Sequence, residues 1–164
     1  MDALHCLRTR RSIRTFAPDA DVPAGAVDVM IDCARLAPTS MNEQPWTFLV
    51  LRDPATRARI VELAGHGEFL RAAPVAIAAC VDEWEWWKED GSAAVTSLLL
   101  AAHALGFGAC WMSMEPAPYA AAVKALLGVP DTVHLLAVVA VGRPAEQPSP
   151  EKKALAEVVR QERW

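Results

Sequence analysis

The chain has 164 residues, 53% of them hydrophobic and 22% charged, and its formal net charge is −4. This length favours one domain over residues 1–164, and the basic residues cluster only between Arg8 and Arg14, which excludes the basic stripe of a nucleic-acid-binding protein. Because no apolar run reaches about 18 residues and the four cysteines form no CxxC pair, we expect a cytoplasmic protein that neither spans a membrane nor holds a metal ion.

The first half of the chain predicts three main helices and one strand. Residues 22–36 repeat apolar side chains at helical spacing, and Pro23 suits a first helical turn. Residues 46–51 are short and β-rich, and Asp53-Pro54 separates them from the next helix. The predicted elements are helices over residues 2–9, 22–36 and 55–64, a strand over residues 46–51, and one further helical turn over residues 68–72.

The second half centres on a long apolar helix. Residues 91–105 are almost all small or aliphatic, which in a helix of this length indicates burial on nearly every side. We expect this helix to follow a mobile acidic connection over residues 82–90 and to end at Gly106. The remaining predictions are buried strands over residues 75–81, 109–114 and 134–141, and a helix over residues 119–127 that ends at Gly128.

The C-terminal arm, residues 144–164, has no obvious place on the rest of the domain. It combines three prolines, the pair Lys152-Lys153 and an amphipathic helix predicted from about Lys153 to Arg163. Helices and strands that interleave along the chain indicate an α+β or α/β sandwich, and that sandwich is closed without the arm. We therefore expect the arm to embrace a partner subunit.

The stretch Arg10-Arg11-Ser12-Ile13-Arg14, here the arginine segment, carries three guanidinium groups and one hydroxyl. Guanidinium forks bind phosphate oxygens in pairs, and a serine hydroxyl adds a neutral donor. The pattern therefore indicates a phosphate site. A solvated basic surface is the alternative that the spacing leaves open.

Residues 38–46, here the polar loop, read Pro38-Thr39-Ser40-Met41-Asn42-Glu43-Gln44-Pro45-Trp46. Carboxamides donate and accept hydrogen bonds at once, so Asn42 and Gln44 suit the polar edge of a flavin ring, which offers one N–H donor and two carbonyl acceptors. Capping and turn hydrogen bonds within the loop are the alternative. Together with the arginine segment, the polar loop indicates a phosphorylated aromatic cofactor.

No protein side chain is a convincing catalyst. The four histidines are dispersed without a metal-ligand or triad pattern, and Ser12 and Ser40 lie in no nucleophile elbow. No cysteine has a signalled base partner. We therefore predict that a bound cofactor carries the chemistry.

Four ordered segments resemble the nitroreductase family of FMN-dependent oxidoreductases. These are the stretch from the arginine segment to Phe16, residues 37–48, Ala101-Ala102-His103-Ala104-Leu105-Gly106-Phe107-Gly108-Ala109-Cys110-Trp111, and Val141-Gly142-Arg143-Pro144 before a basic tail. The resemblance implies an α+β three-layer sandwich, in which helices flank a central mixed, mainly antiparallel sheet. It also implies a homodimer with FMN sites at the interface and the C-terminal arm extended over the partner subunit.

The resemblance further implies the residues of each FMN site. The phosphate and ribityl end would contact Arg10, Arg11, Ser12 and Arg14, aided by Arg143 and by Lys152 or Lys153. The ring would contact the polar loop of the other subunit through Pro38, Thr39, Ser40, Asn42 and Gln44. Backbone near Trp111, Ser113 and Met114 would place an amide opposite flavin N5.

The activity implied by the resemblance is hydride transfer from NADH or NADPH to nitroaromatic, quinone or similar electron-poor acceptors, with ping-pong kinetics. A flavin-dependent oxidase or flavin-consuming enzyme of the same fold, and a flavin-binding module without turnover, are the alternatives. Trp84, Trp86 and Trp87 could form an aromatic wall over the ring, or they could pack on the surface or in the dimer.

Overall fold

Four antiparallel strands form the central sheet of the structure, a computed structural model that describes residues 2–164. The strands are β1 (Trp46–Leu51), β2 (Val75–Asp82), β3 (Gly108–Ser113) and β4 (Val133–Gly142), and they lie in the order β1-β2-β4-β3. Each neighbouring pair is antiparallel. Among residues 2–164, parallel pairing is confined to an isolated bridge between Ser12 and Ala109, so the parallel part of the predicted mixed sheet is a single contact.

Helices cover both faces of this sheet, which confirms the predicted α+β three-layer sandwich. The side chains of β2 alternate between the faces, as a strand with two covered faces requires. One face packs against α2 (Ala24–Arg35) and α5 (Trp87–Ala104), and the other packs against α3 (Pro54–Ala64), α4 (Phe69–Ala72) and α6 (Ala120–Leu127). The N-terminal helix α1 (Ala3–Thr9) contacts α5.

Most predicted elements are confirmed to within about two residues at each end, the margin within which helix and strand ends are normally assigned. Gly65 and Gly128 adopt left-handed φ values of 71° and 68° where α3 and α6 end. Asp53 caps α3 by accepting from the amides of Ala55 and Thr56. Pro23 precedes the first helical residue of α2 rather than occupying its first turn. Among the described helices, none combines the length and uniform apolarity of a bilayer span.

The prediction of a mobile acidic connection over residues 82–90 is wrong at its C-terminal end. Helix α5 begins at Trp87, four residues earlier than predicted, and Asp90 within its first turn is only 6% exposed. The Asp90 carboxylate accepts from the Trp84 indole and from the Ser40 amide. These partners are distant in sequence or come from a loop, so hydrophobic periodicity could not reveal that the acidic turn is packed.

The predicted arm helix is also too long. Only α7 (Leu155–Val158) is helical, and every residue from 151 to 164 is exposed. An isolated helix of a few turns is marginal in water, since most helical stability in proteins comes from packing an apolar face. The arm finds no such packing on its own domain.

Candidate cofactor-binding site

The arginine segment and the start of the C-terminal arm line one cleft of about 530 Å³. The cleft is lined by Arg10, Arg11, Ser12, Arg14, Pro148, Ser149, Pro150 and Lys152. The Ile13 amide donates to the Ala109 carbonyl at 3.0 Å, which fixes the arginine segment along the open edge of β3. The fold thus brings four predicted phosphate contacts and one arm lysine together.

Glu146 joins the two chain segments that form this cleft. Its Oε1 accepts from the amides of Arg14 and Thr15, and the Ala145 amide donates to the Thr15 carbonyl at 3.0 Å. The hydrogen bonds from these two amides lower the pKa of the Glu146 carboxyl, because they stabilise its ionised form. Sequence reasoning missed Glu146, and nothing in the local pattern distinguishes it from a solvated acidic residue.

Among the residues that the structure describes, the cationic side chains of the cleft form no ion pair, although the Glu146 carboxylate lies on the Arg14 backbone amide. Within residues 2–164, no ion pair includes Arg10, Arg14 or Lys152. Arg11 Nη1 donates to the carbonyls of Arg8 and Arg10 at the C-terminal end of α1. Only the other donors of its guanidinium group are therefore available to a ligand. A cleft with several cationic side chains outside ion pairs and a hydroxyl donor fits the terminal phosphate of FMN.

Arg143 and Lys153 do not line the cleft. The Arg143 guanidinium lies 5.5 Å from the ring centroid of Phe107, in a cation–π arrangement. Of the three basic residues that the resemblance offered as helpers, Lys152 alone lines the cleft. The role predicted for Arg143, and for Lys153 as the alternative to Lys152, stays a prediction.

His103 borders the arginine segment in a neighbouring cavity of about 500 Å³ that also reaches Arg11 and Pro148. Its Nε2 lies 2.8 Å from Thr9 Oγ1. Burial lowers the pKa of His103, and the positive charges of Arg10 and Arg11 lower it further. The imidazole is therefore neutral near pH 7, and the positive charge of this region comes from arginine and lysine.

The polar loop holds a strained backbone. Met41, Asn42 and Gln44 have φ values of 51°, 61° and 52°, a region that non-glycine residues rarely occupy. A 3₁₀ turn runs over Ser40–Asn42, and the Gln44 side chain donates to the Asn42 carbonyl at 3.2 Å. Strain of this kind clusters at ligand-binding sites and persists where the surroundings enforce it.

Asp90 is the anchor that enforces the position of the polar loop. Its Oδ1 accepts from the Ser40 amide at 3.1 Å, while its Oδ2 accepts from Trp84 Nε1 at 2.8 Å. Sequence reasoning missed this residue. The one available signal was its place at the start of a helix, where the helix dipole favours a carboxylate.

The three predicted backbone positions, Trp111 and Ser113 on β3 and Met114 just after it, differ in what they can offer. The Met114 side chain is 1% exposed in the core, and its amide donates to the Leu136 carbonyl at 3.0 Å. Because hydrogen-bonded pairs alternate along an antiparallel ladder, the amides of Trp111 and Ser113 point away from β4 to the sheet edge. Ser113, rather than Met114, is therefore the better candidate for an amide opposite flavin N5.

The two halves of the predicted site do not meet within one chain. No residue of the polar loop lines the cleft of the arginine segment in the part of the chain that the structure describes. The indole Nε1 of Trp111 is buried and has no acceptor within residues 2–164. The polar loop lies at the start of α5, through Ser40 and Asp90, whereas the residues just before the arginine segment lie near its end, through Thr9 and His103.

The chain is similar to known proteins over most of its length. The model of the nitroreductase family matches residues 7–67 and 62–143. A Methanothermobacter thermautotrophicus protein named "Putative NADH dehydrogenase/NAD(P)H nitroreductase" is 34% identical over 170 residues, which cover 100% of this chain and 88% of the relative.

Solved structures with the same fold include one with the cofactor bound. A Desulfovibrio desulfuricans protein in complex with FMN has a TM-score of 0.86 and 35% identity, over 100% of this chain and 99% of the other. An FMN-dependent nitroreductase from Clostridium difficile has a TM-score of 0.91 and 27% identity, over 98% and 99% of the two chains.

Proposed function

The chain belongs to the nitroreductase family, and from that premise we propose that it is an FMN-dependent oxidoreductase. It takes hydride from NADH or NADPH and passes it to nitroaromatic, quinone or similar electron-poor acceptors. The observation that carries the proposal is the cleft that Arg10, Arg14 and Lys152 line together with Ser12. Two comparisons support it: the Desulfovibrio desulfuricans protein was solved in complex with FMN, and the name of the Methanothermobacter thermautotrophicus protein includes NAD(P)H.

The residues of the chain hold and orient the cofactor. Arg10, Ser12, Arg14 and Lys152 bind the phosphate, and Glu146 keeps the backbone beneath them in place. In this proposal the edge amide of Ser113 would be the donor to the ring. When bound, FMN supplies two-electron transfer, accepting hydride from the nicotinamide and releasing it to the acceptor. Donor and acceptor would use one exposed ring face in turn, which predicts ping-pong kinetics.

We propose that the protein acts as a homodimer. The polar loop lies at the start of α5 and the residues just before the arginine segment lie near its end, so the loop of a second copy would complete each site. Apolar side chains are available for that contact, because Leu155 on the arm is 76% exposed and Leu7 on α1 is 58% exposed. Burying these side chains against a second copy would remove apolar surface from water.

Anaerobic titration with NADH and NADPH tests the reaction. The purified protein should be yellow, either nucleotide should bleach the visible flavin band, and a quinone should restore it. Steady NAD(P)H oxidation with a quinone supports the proposal. Flavin loss under oxygen would instead favour the flavin-consuming alternative, and a flavin that neither nucleotide reduces would favour the non-catalytic module.

The phosphate assignment is tested by the double variant Arg10→Ala/Arg14→Ala. Each substitution removes hydrogen bonds to a charged group worth about 1.5–3 kcal/mol, so the double variant should release FMN on dilution. Arg59→Ala is the matched control, because Arg59 pairs with Glu62 on α3, outside the cleft. Fluorescence of released flavin measures the affinity, and full FMN occupancy in the double variant would contradict the assignment.

A further inference from the structure

A further cavity, here the α3 cavity, has a volume of about 330 Å³. It is lined by the loop over residues 17–21, by Arg57 on α3, and by residues 71–74 between α4 and β2. Its described lining residues all differ from those of the cleft of the arginine segment. The volume lies at the lower end of the range for small-molecule sites, so the α3 cavity has room for a small organic ligand.

Arg57 places a buried positive charge at this cavity. The residue is 5% exposed, and no ion pair includes it within residues 2–164. Burial lowers the pKa of Arg57 because it disfavours the charged form, and the charge of Asp53 acts in the opposite direction. A buried charge is costly unless it is paired, so an anion in the cavity would stabilise Arg57.

The guanidinium group of Arg57 is only partly used by the protein. Its Nη1 donates to the Arg52 carbonyl at 2.7 Å and to the Leu51 carbonyl at 3.3 Å. Neither Nε nor Nη2 has an acceptor within residues 2–164, and of these two nitrogens only Nε is fully enclosed by protein. Nη2 is therefore the atom through which Arg57 can reach a ligand in the cavity.

The other charged residues of the α3 cavity determine which anion suits it. Arg71 donates from Nε to Glu68 at 3.1 Å, and its side chain is 44% exposed, so its terminal nitrogens are free to turn toward a ligand. Asp19 and Asp21 also line the cavity and are exposed, and Asp21 lies 3.4 Å from Arg52. These acids repel a phosphate, which is nearly doubly charged at pH 7, more than they repel a singly charged carboxylate.

We propose that the α3 cavity binds the carboxylate group of a small organic molecule, with Nη2 of Arg57 and the terminal nitrogens of Arg71 donating to the carboxylate oxygens. Charge-assisted hydrogen bonds of this kind are roughly twice as strong as neutral ones. The bound carboxylate supplies the counter-charge that Arg57 lacks within residues 2–164. The site is separate from the proposed flavin site and does not depend on it.

A titration followed by NMR tests the site in FMN-loaded protein, in which the cleft of the arginine segment is occupied. Propionate is the probe, and propionamide, which has a similar size and no charge, is its control. The enclosed Nε–H of Arg57 is the reporter in ¹⁵N-labelled protein. Propionate should shift this signal saturably, with a Kd in the millimolar range. Propionamide should not shift it, and inorganic phosphate should bind more weakly than propionate.

Two variants and a matched control assign the binding, with the backbone amides of residues 71–73 as reporters. Arg71→Ala should raise the Kd for propionate about fivefold, the effect of losing one partly exposed charged contact. Arg57→Lys keeps the charge but removes the fork that binds carboxylates, so saturable binding should be lost. Arg59→Ala is the control, because Arg59 pairs with Glu62 three residues away, as Arg71 pairs with Glu68. If Arg57→Lys does not fold, Arg71→Ala carries the test.

Any one of four results would overturn the inference. The Arg57 signal could stay in place with propionate up to about 100 mM, one hundred times a millimolar Kd. Propionamide could shift it equally, phosphate could bind more tightly than propionate, or Arg71→Ala could leave the Kd unchanged. If the proposed function fails and the protein holds no FMN, Arg10→Ala/Arg14→Ala protein serves for the same titration, because those residues do not line the α3 cavity.

Discussion

At the scale of single residues, close backbone approach sets the position of the arginine segment. A Cβ atom on Gly108 would lie 2.7 Å from the Cβ and Cγ2 atoms of Ile13. Ile13 is 8% exposed, and the Ser12–Ala109 bridge flanks this contact. Gly108 therefore allows β3 to receive the segment that carries the phosphate contacts, and a side chain there would push the segment outward.

Gly108→Ala should destabilise the protein by about 1–3 kcal/mol, the usual effect of overpacking, and should weaken FMN binding. The clash involves the Cβ of Ile13, so a rotamer change cannot relieve it and the backbone must shift. Urea unfolding and flavin titration measure the two effects. Gly25→Ala is the control: its Cβ would meet nothing within 4 Å, and alanine in helix α2 should stabilise by about 0.5–1 kcal/mol. Equal stability of the two variants would refute the role given to Gly108.

At the scale of elements, the sequence predicted what depends on local pattern and missed what depends on distant partners. Strand β1 was predicted to the residue, because its β-rich run is bounded by prolines and a helix cap. The start of α5 was missed, because Asp90 finds its partners in Ser40 and Trp84 only after folding. The arginine segment could be recognised because its residues are contiguous, whereas Glu146 reaches the backbone of Arg14 and Thr15 from the far end of the chain.

A second polar cluster joins three elements and makes stability depend on pH. Glu115, after β3, accepts from the Leu135 amide and from His134 on β4, and Lys124 on α6 lies 3.6 Å away. His134 also contacts Glu83, which follows β2. Burial alone would raise the pKa of Glu115, but the hydrogen bonds from His134 and Leu135 and the nearby positive charges outweigh it, so the pKa is lowered.

Glu115→Gln should therefore reduce stability near neutral pH by about 1.5 kcal/mol, the lower end of the range for a hydrogen bond to a charged group. The pKa of Glu115 in the folded protein lies below its ordinary value of 4.5. Ionised Glu115 therefore stabilises the folded protein above pH 4.5, and this stabilisation is lost as the pH falls through the folded-state pKa. Urea unfolding from pH 7 to below pH 4.5 should show the variant and wild type converging. Glu151→Gln on the exposed arm serves as control. If the variant and wild type differ in stability as much at the lowest pH as at pH 7, the difference does not come from the ionised Glu115 carboxylate.

At the scale of the whole molecule, three features of one chain fit the proposed homodimer. Arg10, Arg14 and Lys152 form no ion pair within residues 2–164, and the polar loop has positive φ values at Met41, Asn42 and Gln44. The arm exposes the apolar side chains of Leu155, Val158 and Trp164. A second copy would resolve all three features at once, and the homodimer proposal therefore makes separate predictions for the arm helix and for Lys152.

Deleting residues 154–164 should weaken the dimer but leave the cleft intact, because Lys152 remains. We expect the dimer dissociation constant to rise at least about tenfold, equivalent to about 1.4 kcal/mol, and FMN to be lost only under conditions that dissociate the dimer. Lys152→Ala should do the reverse, weakening FMN binding at every protein concentration with no change in the dimer. Analytical ultracentrifugation and flavin stoichiometry, measured on the same samples, separate the two effects. A deletion that remains fully dimeric at nanomolar concentration would show that the arm does not cross to the partner, and the exposed apolar side chains would then need another explanation.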